Sequence, residues 1–338
     1  MTVSGFSIII CCFNSQDKIK ETLRYISELN RDSILCEVIA VNNNSMDLTL
    51  KTLEETLPSL GIEFRMFTES NPGKTNALLK GFNEAKYDKM VICDDDVLLK
   101  KNYLEEAKIF FVKYPNAGIV GGRGDLKPEI DTPHWLSPYK SALAIGPQEA
   151  ENGILSIERR YIWGAGSIVN KNAFKDINSI GFPGFYTGVN GEGRTMTGED
   201  SELSIWIRHA GYKLYYCKNL RYIHNVDVKR ISWSYMLHLQ IGFSRSQVYL
   251  KMLQEILDCK KKKTFFEFKK YVIKETKIHF QKLLQGFFSV NYFKSLWISY
   301  VEKREGYAPT IRFNNDYFKL KEYIVNKKVL KSIFDSTK

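Results

Sequence analysis

The sequence predicts an α/β fold, a doubly wound sheet followed by a basic helical extension. Three observations carry this. Short apolar runs alternate with amphipathic runs over the first hundred residues, the pattern of successive βαβ units. Polar clusters fall where the apolar runs end, and open α/β sheets bind ligands at the carboxyl ends of their strands. The net charge of +11 is confined to the last quarter: residues 251–338 hold 20 Lys/Arg and 9 Asp/Glu, whereas residues 1–250 hold 29 of each.

Taken in order, Phe6–Phe13 is an apolar run ending in Asn14-Ser15, a buried strand followed by a helix cap. Lys18–Leu29 sets Ile19, Leu23, Ile26 and Leu29 on one helical face. Cys36–Val41 is a second buried strand, ending in Asn42-Asn43-Asn44-Ser45. Leu48–Leu57 reads as a helix and Glu63–Phe67 as a third strand. Thr75–Ala85 is a third helix, entered through Asn71-Pro72-Gly73. Lys89–Cys93 is a fourth strand that runs directly into Asp94-Asp95-Asp96. Beyond residue 115 the pattern loosens. Ala117–Gly121, Trp163–Asn170 and Tyr212–Cys217 read as strands, Ser201–Ala210 as a short helix and Ile231–Leu257 as a long one. Gly181–Gly198 holds six glycines and reads as a mobile loop. Phe265–Val301 reads as helical, amphipathic and basic. The expected division is a catalytic domain over 1–230, with halves meeting near 115, and a helical basic region over 231–338.

Composition bounds the class. A chain of 338 residues with 44% hydrophobic content buries a sizeable core, which excludes disorder as its main state. None of the six cysteines forms a CxxC pair, and four lie in strand-like apolar runs. They read as reduced thiols of a cytoplasmic protein. The first residues lack a basic n-region and a long apolar core, so no signal peptide is expected. No run of 18 apolar residues suggests a membrane-spanning helix.

The chemistry is concentrated in three places. Asp94-Asp95-Asp96 follows a buried strand, where three adjacent carboxylates repel one another unless a cation or solvent intervenes. Mn²⁺ or Mg²⁺ takes such oxygens and bridges them to a diphosphate. Glu199-Asp200 follows the glycine-rich loop, placed either to cap the next helix or to act as a general base. His224 follows the strand and turn Tyr212–Tyr222, the one histidine of five at a predicted strand end after the acidic pair.

These residues carry a resemblance. Cys-Cys-Phe-Asn, Val-Asn-Asn-Asn-Ser, Asn-Pro-Gly-Lys-Thr-Asn-Ala-Leu, Asp-Asp-Asp, Gly-Glu-Asp-Ser-Glu-Leu and Ile-His occur in an order that resembles the family-2 glycosyltransferases of GT-A fold, over about residues 6–226. The resemblance implies a mixed GT-A-like sheet and a nucleotide-binding group of Phe13, Asn14, Asn42, Asn43, Lys74, Asp94 and Asp95. It also implies a metal at Asp96 and His224, and catalysis by Asp200 with Glu199. Trp163, Gly164 and Phe185 are the matching candidates on the acceptor side. Asn42 and Asn43 depart from the pattern, which usually has an aspartate for uracil or ribose. The Gln-x-x-Arg-Trp motif of processive members is absent, and Gln240 is not followed by it. The expected activity is therefore inverting transfer of one sugar from a nucleotide-sugar, UDP-linked, to a hydroxyl of a glycan or lipid-linked acceptor.

Two other readings compete. A nucleotidyltransferase would want a glycine-rich, basic phosphate loop after the first strand, and Cys-Cys-Phe-Asn-Ser-Gln-Asp lacks it. A basic module for nucleic acid or membrane leaves the acidic clusters unexplained. The basic, aromatic-rich end remains an expected contact with an anionic membrane surface on its inner face, and no nucleic-acid partner is expected.

Overall fold

The computed structural model describes residues 5–156, 159–184 and 197–257. Most of the glycine-rich loop, including Phe185, and the stretch Phe265–Val301 lie outside the described residues.

The first half follows the predicted alternation: β1 (Phe6–Cys12), α1 (Ile19–Ser27), β2 (Cys36–Asn42), α2 (Thr49–Thr56), β3 (Glu63–Thr68), α3 (Lys74–Glu84) and β4 (Lys89–Asp94). A three-residue strand β5 (Val97–Leu99) and a helix α4 (Tyr103–Lys113) follow, neither of which was expected. Then come β6 (Ala117–Leu126), a 3₁₀ stretch His134–Leu143, β7 (Gly153–Ile154), β8 (Ser167–Asn170), α5 (Lys171–Ser179) and α6 (Glu199–His209). The series closes with β9 (Lys213–His224) and α7 (Trp233–Leu257).

The strands form one sheet in the order β3-β2-β1-β4-β8-β6-β9-β5, with β7 on β9. β1 to β4 are parallel, whereas β8 runs antiparallel to both β4 and β6. The sheet is thus mixed. Side chains alternate across a strand, and β1 shows it. Phe6, Ile8, Ile10 and Cys12 join Ile19, Leu23 and Ile26 of α1, Leu53 of α2 and Leu104 of α4 in one core cluster. Ile9 points to the other face, where α3 approaches so closely that a Cβ on Gly81 would meet the Ile9 side chain at 2.4 Å. Phe82 of α3 packs edge-on against Phe174 of α5, ring centroids 4.9 Å apart. Both faces are therefore covered by helices.

The strands are tied at their amino ends by Glu37, which is fully buried. Its carboxylate accepts hydrogen bonds from Ser7 Oγ (2.6 Å), Lys86 N (2.7 Å) and Arg65 Nη2 (2.8 Å). Burial pushes its pKa up, but those donors outweigh it and hold the group ionised.

The chain divides into two compact units. One comprises Met1–Ile177, Gly184–Gly193 and Glu199–Val228 and holds the whole sheet; the other comprises Asn178–Pro183, Arg194–Gly198 and Lys229–Lys338 and holds α7. Among the described residues no helix is long and apolar enough to cross a membrane. Cys11, Cys12, Cys36, Cys93 and Cys217 are all free thiols.

Candidate active site

The parallel register brings the polar clusters together. Cys11 pairs with Asp94 and Cys12 with Asn42, so the turns after β1, β2 and β4 leave the sheet at one level. Asn14 and Asn44 take left-handed backbone conformations (φ 49° and 56°), which asparagine tolerates better than most residues. Asn14 Oδ1 accepts from Met46 N at 2.9 Å, and Asn42 Oδ1 from Ser45 N at 3.3 Å. Asn43 is committed further. Its Nδ2 donates to the carbonyls of Glu69 (3.1 Å) and Asn71 (2.7 Å), and its Oδ1 accepts from Gly73 N (2.8 Å). That amide fixes the loop into α3, whose first residue is Lys74.

The three consecutive aspartates go to three different partners. Asp94 takes the Lys74 ammonium at 2.7 Å. Asp95 turns back toward β1 and α1: its carboxylate accepts from Ser15 Oγ and, at 3.5 Å, from Phe13 N. Its carbonyl accepts from Thr22 Oγ1 at 2.7 Å. Asp95 therefore braces the Phe13 turn from behind, while Phe13 itself stays half-buried. Burial, then the neighbouring Asp96 charge, push the Asp95 carboxyl up to about 6. Asp96 is 5% exposed. Its Oδ1 lies 3.3 Å from His224 Nε2 and its Oδ2 lies 3.9 Å from Lys18 Nζ.

His224 was expected beyond a turn; it is the last residue of the twelve-residue strand β9, set opposite Val97 of β5. Its Nδ1 is 2.7 Å from the Leu143 carbonyl. A carbonyl only accepts, so Nδ1 carries a proton. Nε2 then faces a carboxylate either as an imidazolium donor or as a lone pair that needs a cation between the two. Among the described residues no three His, Cys, Asp or Glu side chains form a ready-made metal cage.

Asp200 arrives from the first turn of α6. Its Oδ1 accepts from Ser201 N at 2.7 Å, and its Oδ2 from Gly164 N at 3.3 Å. The first of these meets an unpaired N–H of the helix start, so part of the capping expectation holds; the second reaches across to the segment before β8. Burial first, then Glu199, push the Asp200 carboxyl up to about 7, although Lys74 and the two N–H groups pull it down. Lys74 Nζ lies 3.9 Å from Glu199, so this lysine joins the two acidic clusters across more than a hundred residues of sequence. Burial alone would lower the Lys74 pKa, but Asp94 and Glu199 hold it up.

The acceptor-side candidates separate. Gly164 lines the site: a Cβ there would stand 3.6 Å from Lys74 Nζ and 3.7 Å from Asp200 Cβ. Trp163 is 4% exposed with the Arg159 guanidinium over its ring, so it packs behind the site and offers no free face. Tyr161 was missed in the sequence. It is 39% exposed and close enough to Asp200 for that charge to act on its phenol. Lys18 was also missed, a lysine at a helix start with no signal beyond its place after Ser15.

A family model, Glycosyl transferase family 2, matches residues 7–177, just over half of the chain. This chain belongs to glycosyl transferase family 2. It is a glycosyltransferase, as the order of motifs implied. A poly-beta-1,6-N-acetyl-D-glucosamine synthase of Staphylococcus epidermidis is 25% identical over 178 residues, 52% of this chain and 42% of that protein. The synthase of that name from Staphylococcus aureus strain MW2 is 27% identical over 147 residues, 43% of this chain and 34% of the other. The chain thus spans less than half the length of these relatives. Among solved structures, S. aureus TarS 1-349 has a TM-score of 0.52 at 14% identity, covering 90% of this chain and 91% of that one. Its complex with UDP-GlcNAc gives a TM-score of 0.51 at 13% identity, with the same coverage. At such identity the likeness shows the fold, a mixed α/β sheet of GT-A type.

The lysine bridge of this glycosyltransferase generates one prediction. Lys74→Met removes the one side-chain charge that lowers the Asp200 pKa. A carboxyl carbon-13 titration should then place Asp200 above its value of about 7 in the parent chain. An unmoved titration would show that Lys74 does not couple the clusters.

Proposed function

We propose that this glycosyltransferase moves one sugar from a UDP-linked donor to a hydroxyl of a glycan or lipid-linked acceptor, with inversion, using Asp200 as the base. The observation that carries the reading is the Asp200 carboxylate, raised to about 7 and placed across Lys74 from Asp94. A base near neutrality is basic enough to take a proton and still mostly ionised above that pH. The UDP-GlcNAc complex of TarS and the poly-N-acetylglucosamine synthase names of the relatives favour a UDP-N-acetylhexosamine donor. The missing Gln-x-x-Arg-Trp motif favours a single transfer: Gln240 is followed by Phe243-Ser244 where that motif has Arg-Trp.

Asp96 and His224 fit a divalent cation. The Leu143 carbonyl orients the ring as a backbone acceptor orients a ligating histidine, and leaves Nε2 turned to the buried carboxylate. Asp96 Oδ1 and His224 Nε2 would hold such a cation, Mn²⁺ or Mg²⁺. When bound, the metal supplies charge neutralisation to the departing diphosphate. The chain's own residues do the rest. The turns at Phe13, Asn14 and Asn42 border the nucleoside, and Asp94 and Lys74 stand beside the phosphates. Asp200 takes the proton of the acceptor hydroxyl. That oxygen bonds to the anomeric carbon from the face opposite the diphosphate, the bond to the diphosphate breaks, and configuration inverts. The basic stretch 251–338 holds the enzyme at an anionic membrane surface, where a lipid-linked acceptor resides.

Four outcomes are expected. Asp200→Asn keeps shape but not the proton acceptor, and transfer from UDP-GlcNAc should fall by about 10²–10⁴-fold with little change in UDP affinity. The parent rate should rise with pH through about 7, where Asp200 becomes ionised, and then level off. A near-parental rate for Asp200→Asn leaves Asp200 as a helix-start residue only. EDTA should abolish transfer, Mn²⁺ or Mg²⁺ should restore it, and Asp96→Ala should weaken UDP binding only when metal is present; full activity in EDTA overturns the metal assignment. The full chain should float with anionic vesicles and dissociate as salt rises; indifference to such vesicles at low salt removes the docking role.

A further inference from the structure

We infer that the acceptor is recognised through an oxyanion, a phosphate or carboxylate carried close to its reacting hydroxyl and held by Arg159; this rests on the reading of Asp200 as the base. The chain from Arg159 to Gly164 runs along Asp200. Gly164 N donates to Asp200 Oδ2 at 3.3 Å. Tyr161 stands next, felt electrostatically by both Asp200 and Arg159. Arg159 lies one step further along, its guanidinium 4.9 Å above the Trp163 ring.

That guanidinium is stacked on Trp163 and, among the described residues, unpaired. Its floor is rigid: Trp163 is buried, and its N–H donates to Gln148 Oε1 at 2.9 Å. Gln148 is itself buried and donates to the Gly122 carbonyl at 3.0 Å. Arg159 Nε is shielded from solvent and has no hydrogen-bond partner, and burial lowers the pKa of the group. Among the described residues it makes no ion pair. Four other arginines of the sheet unit are paired, Arg24 with Glu28, Arg65 with Glu37, and Arg123 and Arg221 with Asp125; Arg31, whose Nε also lacks a partner, donates through Nη1 to the Gly61 carbonyl at 3.2 Å. Glu149 acts on Arg159 only at longer range, and its Oε1 accepts from Ser156 N (3.1 Å) and Ser156 Oγ (2.7 Å).

A half-buried guanidinium with a shielded, unpartnered Nε–H is favoured when a ligand brings an anion into contact with it. The planar guanidinium fork matches the paired oxygens of a phosphate or carboxylate, and stacking on Trp163 preserves its orientation. Exposed Arg160 follows directly in the chain. In the proposed function the donor diphosphate already has a cation beside it, Lys74, which pairs with Asp94 at 2.7 Å. The anion that Arg159 awaits therefore belongs to the acceptor. A purely structural Arg159, serving only as a lid on Trp163, would be indifferent to the charge of what binds.

The test is titration of the full chain, saturated with UDP and Mn²⁺, with three probes: glycerol 3-phosphate, glucuronate and neutral methyl glucoside. The parent chain should bind at least one anionic probe more tightly than the glucoside, and which one it prefers separates phosphate from carboxylate. Arg159→Gln should weaken that probe by about tenfold or more, the size of a lost charge-assisted contact, while UDP affinity and thermal midpoint stay at parental values. Arg159→Lys, which keeps the charge without the fork, should fall between. Equal binding of charged and neutral probes, or anion binding unchanged in Arg159→Gln, overturns the proposal. Arg159-dependent anion binding in a chain that ignores UDP would sink the donor assignment and leave the oxyanion site standing.

Discussion

Crowded negative charge around one lysine is the constraint on which the site depends. Asp94, Asp96, Glu199 and Asp200 gather at the end of β4, with Lys74 at 2.7 Å from Asp94 and 3.9 Å from Glu199. Two like charges 4 Å apart repel by about 4 kcal/mol at an effective dielectric constant of 20. Each acid meets that cost differently. Asp94 shares the ammonium, Asp95 turns away to Ser15, Asp96 faces His224, and Asp200 carries its proton up to near neutrality. Burial and Glu199 raise Asp200 furthest, to about 7, above Asp95 at about 6, and a raised carboxylate is what proton transfer at neutral pH asks for.

The strand directions decide which residues can join that cluster. β1, β2 and β4 run parallel and end together, so their following turns meet. β8 is antiparallel to β4, pairing Ser167 with Ile92 and Asn170 with Lys89. Its beginning, not its end, therefore lies beside the aspartates, and the residues just before it, Tyr161 to Gly164, reach Asp200. His224 comes by a third route: β9 pairs antiparallel with β5, immediately after the triplet, and this sets its last residue opposite Val97. An all-parallel sheet would supply only strand ends and following turns at this level. The mixed sheet adds the start of one strand and the far end of a long one.

The first half of this arrangement was legible because buried parallel strands are continuous apolar runs bounded by turn residues. The second half was not. The segment Trp163–Asn170 looked like one strand, but only Ser167–Asn170 is, and Trp163 is buried by Arg159 and Gln148, contacts separated from it along the chain. β9 was cut short in the sequence because Lys218-Asn219 interrupts its apolar character; pairing with β5, β6 and β7 carries the strand through to His224. Helix α4 did leave a signal, with Tyr103, Leu104, Ala107, Phe110 and Phe111 buried at helical spacing behind Asn102. The roles within Asp94-Asp95-Asp96 were beyond sequence alone, since three identical residues are told apart only by their partners.

Hydrogen-bond partners also account for Asn43, one of the two asparagines that stand where the family usually has an aspartate. The Asn43 amide uses both kinds of polar atom. It donates to two carbonyls, of Glu69 and Asn71, and accepts from Gly73 N. A carboxylate only accepts. At this position it would keep the Gly73 contact but set a charged oxygen against carbonyl oxygens in a buried place, which costs more than losing the bonds outright. The amide is therefore demanded by the loop that launches α3 and sets Lys74 beside Asp94. Substituting asparagine exchanges a charge-assisted acceptor near a nucleobase for a firm hold on the lysine that organises the acids. The neighbouring Asn42 and the turns after β1 and β2 stand at the same level of the sheet, on the strand ends that Asn43 leaves unencumbered.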